Sequence, residues 1–338
     1  MPKALKNVLK FLAFLSIGLL MIWLALKDMT PKDYADVKDA FLSGNYWLVV
    51  PAFIIGIGSH LSRALRWRIL IDTQHYKPGV LNTFFAVMVG YLVNMGVPRL
   101  GEIARCGVLA NYEKIPADKL IGTMIAERAL DLVCLAIVFL LCFLLQLDIV
   151  SAYLSAEVWP ALEQKIANAN VTQLLVLLGI VLVVIGVVIY LLKRFAASKA
   201  AIKLRALLRG VMDGFLSIGK MDGRKLGWFL FHTLMIWAQY LAMLYVGFLC
   251  LPATQELGLT AALTVLALGS VAMIVSPGGI GVYPFLVQKT LLLYNVAGPI
   301  GMAFGWIIWG AQTVLICILG LVSFIWLPIH NKKSAGKS

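Results

Sequence analysis

Long apolar runs constrain the fold of this chain more than any other feature of its sequence. An α-helix needs about 20 apolar residues to cross the hydrocarbon core of a bilayer, and its backbone must satisfy its own hydrogen bonds there. Hydrophobic residues make up 61% of the 338 residues and charged residues only 13%. We therefore predict an all-α polytopic integral membrane protein with a single transmembrane domain over residues 1–338. The predicted full spans are 8–26, 46–62, 120–147, 172–192, 226–251 and 300–328.

Two further apolar runs end in glycine and proline instead of ordinary loops. Residues 80–97 lead into "GVPRLG" (96–101), and residues 259–276 lead into "SPGGIGV" (276–282). Proline and glycine interrupt helices, so both runs are predicted to turn back as re-entrant hairpins. The alternative is that these residues are ordinary components of spanning helices, where Gly and Pro are frequent.

The distribution of charge favours the hairpin interpretation. Lysine and arginine accumulate in cytoplasmic loops, and Lys3, Lys6 and Lys10 precede the first apolar run. If 80–97 crossed fully, the basic segment 193–225 would face outward and the acidic loop 148–171 inward. With two hairpins, both loops lie on their expected sides. The prediction is a multi-pass protein of the cytoplasmic (inner) membrane whose N- and C-termini are both cytoplasmic.

The same topology divides the chain into an inverted repeat. Residues 46–147 form a span, a hairpin and a span, and residues 226–328 repeat this order in the opposite orientation. Paired broken segments in inverted repeats are typical of transporters with a binding site near the bilayer midplane.

The hairpin tips carry candidate substrate-binding residues. Each helix restart leaves free backbone N–H groups and a positive dipole end, which attract anions and phosphate above all. Glu102 is expected either to cap its helix start or to pair with an arginine. The candidates are Asn94, Arg99, Glu102 and Arg105 at the first tip and Gly278 and Gly279 at the second.

Other ionisable residues lie within apolar sequence, where such residues commonly mark pathways or internal partners. Arg63 and Arg66 are three positions apart, and Glu127 and Asp131 share one helix face, with Arg128 beside them. Together with the first tip, these give five arginines against three carboxylates. An anionic ligand such as a lipid phosphate would neutralise the two excess positive charges. Alternatively, Arg63 and Arg66 extend to the inner membrane surface, and the remaining charges then balance.

The remaining chemistry of the sequence is limited. Segment 193–225 has the pattern of an amphipathic helix on an anionic inner leaflet. The net charge of +13 is attributed to cytoplasmic loops, so no nucleic-acid partner is expected. The five cysteines lie mostly in apolar runs, and the four histidines lack metal-ligand spacing. No cofactor, metal or catalytic residue is predicted, because no such signature is present.

Four motifs resemble the flippase-like transmembrane domain of lysylphosphatidylglycerol synthases. They are "SRALRWRIL" (62–70), "NMGVPRLGEIARCGVL" (94–109), "AERALDLV" (126–133) and "SPGGIGV" (276–282), in the family's order. The resemblance implies a stand-alone lipid transporter, because the aminoacyl-transfer domain of the bifunctional enzymes is absent from this sequence. Relatives tend to have an acidic residue where this chain has Tyr283 and Pro284, so the role of that carboxylate does not transfer.

Three functions are consistent with these features. The leading expectation is a flippase that moves an anionic or phosphate-bearing lipid, a phospholipid or an isoprenoid lipid, between leaflets through a central polar cavity. The alternative is an intramembrane enzyme that modifies a phospholipid or polyprenyl-phosphate head group, although no catalytic signature supports it. A third is an assembly protein whose buried charges are only structural.

Overall fold

The computed structural model describes residues 15–16, 18–27, 29–97, 99–147 and 221–335. The predicted span 172–192, the loop 148–171 and most of segment 193–225 lie outside the described residues. The predicted span 8–26 is described only in part, and its residues 18–26 are helical. No strand occurs in the described ranges.

The described α-helices include four long helices and several shorter ones. We label them α1 (Pro31–Ser43), α2 (Val49–Asp72), α3 (Val80–Gly96), α4 (Leu100–Glu113), α5 (Ala117–Leu145), α6 (Gly223–Phe248), α7 (Leu259–Val275), α8 (Val282–Leu292) and α9 (Gly298–Ala335). Within these ranges, α2, α5, α6 and α9 are long and apolar enough to cross a membrane. The predicted all-α polytopic fold is confirmed. Both α2–α5 and α6–α9 follow the order long, short, short, long.

Helix α2 is longer than the sequence indicated. Its predicted span ended at residue 62, but the helix continues to Asp72. The predicted end assumed that the first arginine marks the membrane surface. Instead, Arg63 and Arg66 in this extension pair with carboxylates on another helix, as described below, so the helix continues past them.

The first hairpin consists of α3 and α4. Helix α3 has 17 residues, about 25 Å at 1.5 Å per residue, which is shorter than the roughly 30 Å hydrocarbon core. The chain reverses at Arg99, whose φ of 64° is left-handed. The two arms pack closely at Gly90 and Gly101, because a methyl group at Gly101 would overlap the Gly90 carbonyl oxygen.

The second hairpin consists of α7 and α8, joined by the tight turn Pro277–Gly279. Gly278, Gly279 and Gly281 all have positive φ, which glycine adopts without a steric penalty. Here the arms approach at Gly269, where an added methyl would lie 2.7 Å from the Tyr283 ring.

Contacts between helix ends define two ends of the bundle. The side chains of Asp72, at the end of α2, and Lys225, at the start of α6, are 2.7 Å apart. At the opposite ends of the same helices, the Asn45 N–H donates to the Cys250 carbonyl oxygen at 2.8 Å. We call the end with Asp72 the near end and the end with Asn45 the far end.

The base of the first hairpin lies at the near end and is tied to α9. Asn82, near the start of α3, exchanges two hydrogen bonds with Asn331 at 3.0 and 2.9 Å. The carboxylate of Glu113, at the end of α4, accepts from the Asn82 amide at 2.6 Å and from the Gly79 N–H at 2.9 Å. We call Asn82, Glu113 and Asn331 the near-end latch.

The base of the second hairpin lies at the far end and is tied to α5. Gln146, at the end of α5, donates to the Thr264 hydroxyl at 2.6 Å and accepts from the Tyr294 hydroxyl at 2.8 Å. Thr264 and Tyr294 also share a hydrogen bond of 2.7 Å. We call these three residues the far-end latch. Each hairpin is therefore tied to the last helix of the opposite half of the chain.

Candidate functional site

Buried charges from three helices meet beside the first hairpin. Glu127 accepts from Arg63 at 3.0 Å, from Arg66 at 3.1 Å and from Arg105 at 2.7 Å. Asp131, one turn later on α5, pairs with Arg63 at 2.9 Å and with Arg66 at 2.6 Å. The sequence motifs on α2, α4 and α5 thus form one buried charge cluster, completed by Arg128, whose guanidinium lies 3.7 Å from the Asp131 carboxylate.

Arg63 and Arg66 do not extend to a membrane surface, so that alternative is wrong. Their side chains are 6% and 0% exposed, and Glu127 is fully buried. A buried charge is tolerated when it is paired, and the two carboxylates of α5 provide these pairs. Arg63 Nε, Arg66 Nε and Nη1 and Arg105 Nε are buried and donate no hydrogen bond to the described residues. Arg68, by contrast, is only partly buried and donates to the Pro78 carbonyl oxygen at 2.7 Å.

Aromatic residues complete the surroundings of the cluster. The Arg105 guanidinium lies 4.5 Å from the centre of the Trp67 ring, in a cation–π contact. Trp67 donates to the Thr123 hydroxyl at 3.0 Å. Arg63 also donates to the Tyr240 hydroxyl at 3.1 Å, and this bond connects the cluster to α6 in the second half of the chain.

A central cavity of about 330 Å³ lies between the two hairpin tips. The first tip contributes one wall, the second tip contributes another, and α9 closes a third side. The lining residues are Tyr91, Asn94, Met95, Arg99, Glu102, Arg128, Met273–Ser276, Gly278, Trp309, Gln312, Thr313 and Ile316. The lining is apolar over most of its area, with a few charged and amide groups, as in many small-molecule sites.

Of the predicted arginines, Arg99 and Arg128 line this cavity. Arg128 belongs both to the cavity and to the charge cluster, and its side chain is 37% exposed. Arg105 and Arg66 are 3% and 0% exposed and make their contacts with the carboxylates of α5. The arrangement therefore divides the predicted set into arginines that face the cavity and arginines that are held behind it.

Glu102 lines the cavity without an ionic partner among the described residues. Its Oε2 atom is buried and accepts no hydrogen bond from them, and the buried Nε of Arg128 likewise donates none. The predicted pairing of Glu102 with an arginine is absent from the described ion pairs. A carboxylate and a guanidinium with unused hydrogen-bonding capacity thus lie in the same cavity.

The charges of this region leave a positive excess. The buried cluster contains four guanidinium groups and two carboxylates, and Arg99 and Glu102 in the cavity cancel formally. The region therefore carries two more positive than negative groups. This excess is located beside a cavity, which is where a bound anion would neutralise it.

Asn94 has a structural role in addition to its place in the cavity wall. Its side-chain oxygen accepts from the Gly101 N–H at 2.7 Å and satisfies one of the free backbone donors at the start of α4. This part of the predicted anion site is therefore occupied by the chain itself. Arg99, at the N-cap position of α4, has no side-chain capping bond.

The two predicted glycines differ in position. Gly278 lines the cavity, and its carbonyl oxygen accepts from the Trp309 indole N–H at 2.7 Å. Gly279 is buried behind it, where an added methyl would meet Met273 and lie 3.5 Å from the Trp309 ring. Gly279 therefore allows close packing of the tip and does not line the cavity.

Several cavity residues were not among the sequence-based candidates. Gln312 and Thr313 lie one helical turn after Trp309 on α9, so the sequence signal was a polar stripe in an otherwise apolar run. The second tip contributes mainly apolar side chains, Met273, Ile274 and Val275, which carry no such signal.

Comparison with known proteins places the chain in a family. Residues 8–320 match the family described as the lysylphosphatidylglycerol synthase TM region. A curated relative, UPF0104 membrane protein MJ1595 of Methanocaldococcus jannaschii, is 27% identical over 128 residues, which are 37% of this chain and 36% of that protein. The aligned part is thus about a third of the relative's length, and no solved structure matches. The extent of the family match shows that the chain is a member of the transmembrane-region family of lysylphosphatidylglycerol synthases.

Proposed function

We propose that this membrane protein moves a phosphate-bearing lipid between the two leaflets through the central cavity. The observation that carries the proposal is the position of Arg99 and Arg128 in a cavity between two hairpin tips whose bases lie at opposite ends of the bundle. In this proposal a head group reaches the cavity from one end at a time. Broken helices facing each other across a central site are the architecture expected for alternating access.

In this proposal the head group enters the cavity while the acyl chains stay in the bilayer. Arg99 and Arg128 bind the phosphate, because guanidinium groups match its geometry and charge. Glu102 accepts a hydrogen bond from a hydroxyl or ammonium group of the same head group. The apolar lining contributed by Met95, Met273 and Ile316 contacts the glycerol or isoprenoid portion.

The proposed orientation places the near end in the cytoplasm. Basic side chains concentrate at that end, including Arg224, Lys225 and Lys332, and basic residues are typical of cytoplasmic loops. The hairpin α3–α4 then enters the membrane from the cytoplasm and α7–α8 from the opposite side, so that residues 46–147 and 226–328 form an inverted repeat.

Leaflet exchange in vesicles tests this function. The full chain is reconstituted with a trace of fluorescent phosphatidylglycerol, and the label is reduced chemically from outside. With wild-type protein, label from the inner leaflet is expected to become accessible to the reductant. Arg99→Gln and Arg128→Gln proteins are expected to reconstitute in equal amount. Their rate of leaflet exchange is expected to fall at least about tenfold, since each substitution removes a charge-assisted contact with the phosphate. Lys119→Gln, on the exposed surface of α5, is the control.

The experiment also separates the alternatives. Wild-type exchange no faster than in empty vesicles, across phospholipids and a polyprenyl phosphate, contradicts transport. If Arg99→Gln instead reduces the yield of folded protein in proportion to activity, the charges are structural and the assembly function is favoured.

A lipid-modifying enzyme is the second candidate, because Glu102 presents a carboxylate without an ionic partner to the cavity. Such a group is a candidate general base. Conversion of a labelled lipid by the wild type, and its loss in Glu102→Gln, would favour catalysis over transport.

A further inference from the structure

A second cleft, separate from the central cavity, lies at the near end of the bundle. It has a volume of about 440 Å³ and is formed by the end of α2, the loop after it and the start of α6. It shares no lining residue with the central cavity. We call it the basic cleft because Arg68, Lys77, Arg224 and Lys225 line it.

The positive charges of the basic cleft are only partly neutralised by the chain. Asp72 is the acidic residue of the lining, and it pairs with Lys225 at 2.7 Å. Arg68 uses its Nε to donate to a backbone carbonyl oxygen, which leaves its two terminal nitrogens. Within the described residues, Arg68, Lys77 and Arg224 have no carboxylate partner, so three cations converge on one concave surface.

An unpaired polar atom and an apolar surface lie among these cations. The Nδ1 atom of His232 is buried and has no hydrogen-bond partner in the described structure. His232 stacks on Trp228 with ring centres 5.9 Å apart and an interplanar angle of 27°. Leu65 and Ile69 of α2 complete the apolar part of the lining.

The apolar surface continues from the cleft along the outside of α6. Trp228 is 49% exposed, and Phe231 and Leu234 follow at intervals of three residues with 46% and 69% exposure. Residues so spaced lie on one helix face. Tryptophan at a helix end is typical of the boundary between head groups and acyl chains. The surface therefore changes from cationic to apolar in the direction in which a phospholipid changes from head group to chain.

We propose that the basic cleft binds the phosphodiester of an anionic phospholipid, whose acyl chain lies along Trp228, Phe231 and Leu234. Arg68, Lys77 and Arg224 contact the phosphate, and His232 contributes a hydrogen bond. The bound lipid is not the transported substrate. It holds the loop after α2 against α6 and thereby fixes the near end of the bundle. A free phosphate ion satisfies the same cations but makes no use of the apolar face.

Native mass spectrometry of the full chain in neutral detergent tests this site. Phosphatidylglycerol is titrated into wild-type protein, the double variant Lys77→Gln/Arg224→Gln and the control Lys119→Gln, which removes an exposed near-end lysine outside the cleft. The double variant is expected to bind one phosphatidylglycerol about thirtyfold more weakly, since each of the two basic residues near a membrane surface contributes about 1 kcal/mol. Lys119→Gln is expected to match the wild type.

Three further measurements identify the occupant. Neutral phosphatidylcholine binds all variants alike, millimolar inorganic phosphate does not displace phosphatidylglycerol, and Trp228→Ala weakens phosphatidylglycerol binding. Arg99→Gln, in the central cavity, retains the cleft lipid. Unchanged binding in the double variant, or an equal loss in Lys119→Gln, overturns the site. Displacement by inorganic phosphate overturns the lipid as its occupant, and loss in Arg99→Gln places the lipid in the central cavity instead.

Discussion

Glu127 accepts hydrogen bonds from three arginines, one more than Asp131, the other carboxylate of the described charge cluster. Its two oxygens accept from three arginines on α2 and α4, so it joins a long helix to the first hairpin. Removing one member of a buried ion pair typically costs about 3–5 kcal/mol, because the remaining charge is left buried and unpaired. The fully buried position of Glu127 therefore gives it a role in stability that Glu102 does not share.

We predict that Glu127→Gln lowers the stability of the protein by about 3 kcal/mol or more. Glu102→Gln, which removes a carboxylate without an ionic partner from the same region, is expected to leave stability within about 0.5 kcal/mol. The free energy of unfolding in detergent, measured for both variants, provides the comparison. Equal stabilities of the two variants would contradict the assignment of Glu127 to the buried cluster.

Gly101 sets the distance between the arms of the first hairpin. We predict that Gly101→Ala destabilises the hairpin by about 1–3 kcal/mol, because the new methyl overlaps the Gly90 carbonyl oxygen and lies 2.6 Å from Asn94 Cγ. Gly107, on the same helix, has open space at its Cβ position. Gly107→Ala is the matched control and should be neutral or slightly stabilising. Thermal unfolding that is identical for the two variants would show that the arms are further apart.

At the scale of secondary structure, the two latches occupy equivalent places in the two halves of the chain. Each joins the base of one hairpin to the last helix of the opposite half. If the halves alternate between two arrangements, each latch is expected to hold its own end of the cavity closed. Breaking one latch should then favour the arrangement that is open at that end.

We predict that Tyr294→Phe opens the cavity toward the far end, because it removes the hydroxyl shared by Thr264 and Gln146. The reporter is Thr313→Cys in the cavity wall, introduced into a protein whose native cysteines have been replaced. An impermeant maleimide is applied from one side of the membrane at a time. Labelling from the far side should rise several-fold, and Asn331→Ala should have the converse effect.

Tyr245→Phe on α6 is the control for the latch, because Tyr245 is 40% exposed and has no described side-chain hydrogen bond. Unaltered labelling in both latch variants would mean that these contacts only stabilise the bundle.

The helical breaks could be predicted from the sequence because glycine and proline act locally. Helix α3 ends at Gly96 and α4 begins at Leu100, and α7 ends at Val275 and α8 begins at Val282, where "GVPRLG" and "SPGGIGV" indicated breaks. Helix α8 has Pro284 in its first turn. The partners of the arginines could not be predicted from the charge count. With Arg63 and Arg66 inside the bundle the count leaves two excess positive charges for an anionic ligand, and with both at the surface it balances. That choice depends on the packing of α2 against α5, which is not encoded in either helix alone.

The cavity was only partly predictable for a similar reason. Arg99, Glu102 and Arg128 were identifiable as charges in or beside apolar sequence. Trp309 and Gln312 lie more than 200 residues after Arg99 and Glu102 in the chain, and the proximity of α9 to the first tip follows from tertiary packing. One such contact is between Gly320 and Leu92, where an added methyl would lie 2.7 Å from the Leu92 Cβ.

In the molecule as a whole, the proposed transport depends on the arrangement of the two hairpins. Their bases lie at opposite ends of the helix bundle, and their tips meet at a cavity beside an excess of positive charge. If the bundle spans a bilayer with its long helices, the hairpins enter from opposite faces and the cavity lies near mid-depth. Their arms of 17, 14, 17 and 11 residues are too short to cross comfortably.

Sided labelling of the two hairpin bases tests this arrangement most directly. Asp118→Cys follows the base of the first hairpin and Glu256→Cys precedes the second, and both positions are exposed. In sealed vesicles of known orientation, an impermeant maleimide is expected to label Asp118→Cys only from the cytoplasmic face and Glu256→Cys only from the opposite face. Labelling of both positions from the same face would contradict the account.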